Sequence, residues 1–287
     1  MIYVHKVGLL NTKADETLDV KSRWKAISPK MIRRTDRYIQ LSLLGVYEAV
    51  GEMKLDPSTA LYMASGQGNL AVFKRLRDQR YIHKQPPKPV DFINSLSNTS
   101  GFYVAQFFGL HGKNLNVSRH GLVVENILLL AQIDLELGRE SVALLGGVDE
   151  LQEPAAFTRR TLGICDERAL GEGSNWMLLT SQEDEALASI EVIKQDMDLS
   201  TLQNYLEEVD ARAQIAFGQR CEVAEVTKMI SHFRGERFAY ESLCDFYETS
   251  TLFILNHFIE TGSGTLYYVN CFENRYRIVK VTNLPRF

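Results

Sequence analysis

The chain has few of the residues that hydrolytic, redox and metal chemistry most often use. Its 287 residues hold 4 cysteines and 6 histidines. Cys165, Cys221, Cys244 and Cys271 are far apart and form no C-x-x-C pair, so neither a disulfide framework nor a zinc site is expected, and free thiols in a reducing, cytoplasmic setting are the expectation. No stretch approaches the roughly 20 apolar residues of a membrane helix. The opening Met1-Ile2-Tyr3-Val4-His5-Lys6-Val7 alternates like a strand and lacks the basic leader, apolar block and cleavage site of a signal peptide. A net charge of −4 gives no basic excess for nucleic acid. No dinucleotide fingerprint or P-loop is present: Ser65-Gly66-Gln67-Gly68 lacks a third glycine and the Lys-Ser/Thr ending. No metal and no cofactor are predicted.

What remains is an ordinary globular composition, 45% hydrophobic and 24% charged, in a chain long enough for one large domain or two small ones. Residues 2–9 read as a buried strand. Thr35 or Asp36 can cap a helix through Met53, with Ile39, Leu43, Val46, Tyr47 and Val50 on one face. Leu61–Ala64 reads as a strand, and the Gly66/Gly68 turn opens a helix carrying Leu70, Val72, Phe73 and Leu76. Gln85–Pro89 is a rigid loop and Phe102–Leu110 a helix. Leu122–Leu137 is apolar nearly all round, as in a helix buried between layers. Ser141–Leu145 is a strand covered on both faces. Gln152–Ala169 reads as polar loop, Trp176–Thr180 and Ser189–Ile193 as strands, Leu199–Glu208 as a helix, and Phe238–Glu260 as a long helix before strands at Leu266–Cys271 and Arg277–Val281. Alternating strands and helices indicate an α/β fold.

The most informative stretch is Lys113–Leu122. A polar turn leads through Leu115-Asn116-Val117 into the apolar helix, which is the local shape of a nucleophile elbow. A nucleophile there would sit at the positive end of the helix dipole and be activated by it. At the tip stands Gly121, with no side chain.

Phe108-Gly109-Leu110-His111-Gly112 through Val117-Ser118 resembles the approach to the active-site cysteine of β-ketoacyl-ACP synthases, a G-L-x-G-P-x-x-x-V-S-T-A-C run. Laying Val117-Ser118 on that Val-Ser puts Arg119-His120 on Thr-Ala and Gly121 on the cysteine. Arg33-Arg34-Thr35-Asp36-Arg37-Tyr38 is similar to R-x-D-R-F, Ala64-Ser65-Gly66-Gln67-Gly68 to G-T-G-x-G, and Pro89 to Asn98 to a P-x₈-N run. Leu145-Gly146-Gly147-Val148-Asp149-Glu150 resembles A-G-G-x-E, Gly171-Glu172-Gly173-Ser174 resembles G-E-G-A, and Val269-Asn270-Cys271-Phe272 resembles V-N-S-F. The resemblance covers most of residues 1–180 and returns near 235–280.

It implies the thiolase-like fold, layered αβαβα, with a first half over 1–151 and a shortened second half over 152–287 in one compact unit. It also exposes losses. The stretch Asp196–Cys221, where the E-x-H-G-T-G-T loop should lie, has no histidine. Gly235-Glu236 aligns with the G-H of K-x-x-x-G-H-T, so Glu236 stands for the second histidine. Glu273-Asn274-Arg275 replace the glycines of the closing oxyanion loop.

The resemblance therefore implies a non-catalytic homologue of the chain-length-factor kind. Such a subunit pairs with an active ketosynthase in a type II polyketide, fatty-acid or aryl-polyene-type system and shapes the tunnel for decarboxylative condensation of chains bound to an acyl carrier protein. On that footing Phe92, Ile93, Leu96, Phe102, Phe107, Phe108 and His120 are candidates for the acyl tunnel and interface, and Arg33, Arg34, Arg37 and Arg75 for carrier-protein docking. An independent remodelled enzyme, a decarboxylase or acyltransferase using His120 and Glu236, and a homodimeric acyl-chain binding protein are the alternatives. Ser118 with His120 could form a dyad, though no orienting carboxylate is identified, and Cys271 reads as a buried thiol.

Overall fold

The structure is a computed structural model and describes residues 1–28, 34–165 and 167–285. The elements run β1 (Ile2–Gly8), β2 (Asn11–Thr12), α1 (Val20–Ile27), α2 (Arg37–Val50), β3 (Ala60–Ser65), α3 (Leu70–Tyr81), α4 (Pro89–Asn94), α5 (Thr99–Phe108), β4 (Asn114–Ser118), α6 (Val123–Glu136) and β5 (Val142–Asp149). The second half adds α7 (Ala155–Leu162), β6 (Glu172–Thr180), β7 (Ala188–Met197), α8 (Leu199–Glu207), β8 (Gln214–Phe217), α9 (Val223–Ile230), β9 (Glu236–Arg237), α10 (Ser250–Thr261), β10 (Thr265–Phe272) and β11 (Arg275–Asn283). The predicted start of α2 is observed: the Asp36 carboxylate accepts the Ile39 N–H at 3.2 Å.

Hydrogen bonds join the strands in the order β4-β3-β5-β6-β1-β7-β11-β10-β8-β9, with β2 on β6. Strand β1 is the seam, pairing with β6 on one side and β7 on the other, so the sheet has two limbs. Strand β6, from the second half of the sequence, lies between β5 and β1 in the first limb.

Strand alternation divides the core into layers. Tyr62, Leu145, Met177 and Leu179 from the first limb meet Val192, Tyr268, Val279 and Val281 from the second around α6 and α10. The opposite side chains of the first limb, Leu61, Met63, Leu144 and Trp176, pack under α1, α2 and α5. Those of the second limb, Phe217, Val269 and Ile278, pack under α8 and α9. Helix, sheet, helix, sheet, helix is the layering expected from the sequence.

Three expectations are corrected, and two short elements add to the sequence reading. The helix predicted over Phe238–Glu260 begins only at Ser250; before it Tyr240, Cys244, Phe246 and Tyr247 are buried one at a time in an irregular segment, and the Tyr240 hydroxyl donates to the Phe217 carbonyl at 2.5 Å. The loop predicted over Gln152–Ala169 contains α7. Strand β8 and helix α9 are too short for their periodicity to stand out, each burying only a few side chains. Helix α6 is not apolar for want of solvent: Leu130 and Ile133 lie on an exposed edge, while Glu125, Gln132 and Asp134 are buried.

Helix α2 lies so close to β6 that a Cβ at Gly45 would overlap the Ser174 Oγ and stand 2.6 Å from its carbonyl oxygen. Gly45→Ala should therefore lower stability by about 1–3 kcal/mol through overpacking, measured by chemical denaturation, although alanine is the better helix former.

Candidate functional site

Strand β4 delivers the chain to the elbow. It pairs in parallel with β3, residue Val117 opposite Ala64 and Ser118 opposite Ser65, and Arg119 donates its N–H to the Ser65 carbonyl at 3.1 Å. Gly121 then turns with φ +62° and Leu122 with φ +50°, and α6 begins at Val123. The left-handed turn suits glycine and costs any other residue.

The space beside Gly121 is filled from β10. A Cβ on Gly121 would overlap Cγ and Cδ2 of the Phe272 ring and lie 2.7 Å from its Cβ. The Gly121 N–H is also taken: it donates to Glu248 Oε2 at 3.0 Å. Glu248 is buried just before α10, and its other oxygen is held by the Arg220 guanidinium, whose Nε donates at 2.9 Å and whose Nη2 makes a second, closer bond. Arg220 is itself packed between two rings, 5.4 Å from the centre of Phe246 and 5.2 Å from that of Phe272, and donates to the Leu162 carbonyl at 3.0 Å.

Beyond Phe272, the segment Phe272-Glu273-Asn274-Arg275 is a two-residue hairpin, Phe272 paired with Arg275, with φ +51° and +60° at Glu273 and Asn274. Two left-handed residues in succession match the type I′ hairpin turn. The connection is closed as a strand hairpin and contains no glycine.

Carboxylates gather behind the elbow. Asp149, at the end of β5, accepts N–H bonds from Gly66 and Thr249, each at 2.8 Å, and the Ser65 hydroxyl at 3.0 Å. Burial, with the charge of Glu248 adding to it, still pushes its carboxyl up to about 6. Glu150 is pushed up to about 7 by burial and by the charges of Asp36 and Glu172.

The sequence candidates separate. Gly121 and His120 are at the elbow; His120 lines an open depression of about 490 Å³ with Gln67, Ser118, Arg119, Thr161 and Phe272. Among the described residues no hydrogen bond joins Ser118 to His120. Glu236 is exposed on β9, paired with Gln214, and does not line this depression; the carboxylate that reaches the elbow is Glu248. Phe92, Ile93, Leu96 and Phe102 are exposed, Phe92 by 62% and Phe102 by 58%. Phe107 and Phe108 instead pack into the outer core, Phe107 edge-on to Trp24 at 4.9 Å. Arg37 is engaged by Glu172 and Arg75 by Asp91, so neither guanidinium is free. Arg34 is exposed, and Arg33 lies outside the described residues. Cys271 is buried, as is Cys221, whose thiol donates to the Val269 carbonyl at 3.7 Å. Sequence reading missed Arg220 and Glu248; no motif marks either, and only the fold brings them together.

Residues 5–161, more than half of the chain, match the family described as beta-ketoacyl synthase, N-terminal domain. The chain belongs to this family. Similar solved structures include the ishigamide ketosynthase/chain length factor, at 14% identity and a TM-score of 0.72, and a beta-ketoacyl synthase from Burkholderia phymatum STM815, at 13% and 0.71. A third is a type II polyketide synthase acyl-carrier protein in complex with its ketosynthase bound to the hexaketide, at 12% and 0.72. Each alignment covers 99% of this chain and 99% of the other. At these identities the likeness establishes the ketosynthase-like, thiolase-type fold. No curated protein sequence matches the chain at a significant level.

Two outcomes are expected of the site. Gly121→Ala should cost on the order of 2–4 kcal/mol, from the left-handed backbone and the ring overlap together, and Phe272→Ala in the same chain should recover a measurable part of that loss in a double-mutant cycle. Glu150→Gln should be stabilising only at high pH. A carboxyl raised from 4.5 to about 7 weakens the fold as pH climbs between those values. Denaturation midpoints of variant and parent should therefore agree near pH 4 and separate by on the order of 1–3 kcal/mol near pH 8.

Proposed function

We propose that this chain is a non-catalytic, chain-length-factor-type subunit that pairs with an active ketosynthase and helps to shape its acyl tunnel. The observation that carries the reading is the filled elbow. A condensing enzyme needs a thiolate at the tip, an N–H free to hold the oxyanion, and proton-transferring groups beside it. Here the tip is Gly121, its N–H is occupied by the chain's own Glu248, and Arg220 and Phe272 close the space. A carboxylate already on that N–H would repel a developing oxyanion.

The surface supports the need for a partner. Among the described residues strand β4 ends the sheet with its outer edge unpaired, and exposed Phe92, Ile93, Leu96 and Phe102 come from α4, the turn after it and α5, the helix packed behind that strand. Exposed apolar patches of this kind mark association sites. The partner would supply the cysteine and both histidines for thioester attack, decarboxylation and condensation. Phe102 is the strongest tunnel-wall candidate, because more than half of it is exposed although it lies on the helix packed behind β4.

Beside the exposed Arg34, an acyl carrier protein would meet further basic residues. Arg80, Lys84 and Lys88 are exposed around the α3–α4 connection and, among the described residues, make no ion pair; they offer an acidic partner long-range steering. Among the described residues no helix is long and apolar enough to cross a membrane. We place the complex in the cytoplasm, where its thiols would stay reduced.

Co-expression with a ketosynthase carrying Cys and both His should yield a stoichiometric complex. Phe92→Asp should abolish co-purification while leaving this chain's own melting temperature unchanged. A monodisperse monomer that ignores the ketosynthase would overturn the proposal. In the complex, Phe102→Ala should lengthen the products with little change in the initial condensation rate, whereas Phe107→Ala should cost this chain about 3 kcal/mol by unpacking Trp24.

A further inference from the structure

A second cavity opens on the other side of the plug. It is a cleft of about 360 Å³ between α9, the β8–α9 connection and residues 237–246, and it shares no lining residue with the depression at the elbow. Phe217, Val226, Ile230, Tyr240 and Phe246 give it an apolar floor. That volume and that lining are those of a small-molecule site.

The charges at its rim can be accounted for one by one. Arg237 pairs with Glu241, which also accepts the Tyr240 N–H at 3.0 Å. Asp245 accepts the Ala14 N–H at 2.7 Å. Arg168 is different. Its Nη1 donates to the Gln219 carbonyl at 2.6 Å and its guanidinium lies 5.3 Å from the centre of the Phe246 ring, yet among the described residues no carboxylate pairs with it. The same ring contacts Arg220. Arg168, Phe246, Arg220 and Phe272 thus form one column of alternating cations and rings from the cleft to Gly121.

We propose that this cleft is a binding site for a short-chain carboxylate, its head group on Arg168 and its apolar tail on the floor made by Phe217, Tyr240 and Phe246. A guanidinium fixed by one carbonyl and one ring keeps N–H edges in an orientation suited to a planar, bidentate anion. Aromatic walls suit an alkyl body and not a polar one. The site does not depend on the proposed subunit role, because it uses neither the elbow depression nor the exposed α4–α5 surface.

Calorimetric titration of the whole chain with hexanoate, and with hexanol as the same body without the charge, tests it. Hexanoate should bind saturably at one site, with hexanol weaker by about 10-fold or more. Arg168→Gln should weaken hexanoate by about the same factor and leave hexanol unchanged. Should Arg168→Gln fail to fold, Val223→Trp serves instead: Val223 is 83% exposed at the mouth of the cleft, so a larger side chain there should block both ligands without disturbing the core. No saturable binding of hexanoate, equal affinity for hexanol, or retention of hexanoate by either folded variant would overturn the proposal.

Discussion

The arrangement of this molecule turns on one buried ion pair, Arg220 with Glu248, clasping the N–H of Gly121. Neither charge could be buried alone, since an unpaired buried ion costs several kcal/mol. Together they are satisfied almost entirely by local groups: Glu248 by a guanidinium and a backbone N–H at the mouth of α6, Arg220 by a carboxylate, a carbonyl and two ring faces. The pair ties the loop after β8, the segment before α10 and the start of α6 into one unit. The elbow is thus held by a structural clasp in the place where a reaction centre would need vacancies.

Much of the fold could be read from sequence because its signals are local. Asp36 caps α2, the run in β1 alternates, those in β3 and β5 are apolar on both faces, and Gly66 and Gly68 mark a tight turn; each acts within a few residues. The vacant elbow was legible for the same reason, since Val117-Ser118 and the helix that follows fix which residue is at the tip. The plug was not. Arg220, Glu248 and Phe272 come from three separate segments, and nothing in the neighbourhood of any one announces the other two. The segment before α10 misled for a related reason: the apolar residues of 238–249 look helical and are in fact separate anchors. Aromatic residues carry the same lesson, because Phe102 and Phe107 lie on one short helix and only packing decides that one faces out while the other meets Trp24.

The exposed apolar surface and the filled elbow belong together. The chain's own Glu248 and Phe272 pack against the elbow, while the end of the sheet at β4 lies beside an α4–α5 face with exposed apolar side chains. The buried carboxylate Asp149 sits behind the elbow and bonds the amides of Gly66 and Thr249, tying two turns together.

The hairpin at Glu273-Asn274 limits what position 121 can hold. With Phe272 and Arg275 locked as a strand pair, the ring of Phe272 has no loop to swing on, and any side chain placed at position 121 meets it at once. Replacing Glu248 with a neutral residue would leave the Arg220 guanidinium without its carboxylate, and replacing Arg220 would leave Glu248 without its guanidinium. Each substitution taken singly is penalised by the residues still in place, so this corner of the molecule can be remodelled only by changing several positions together.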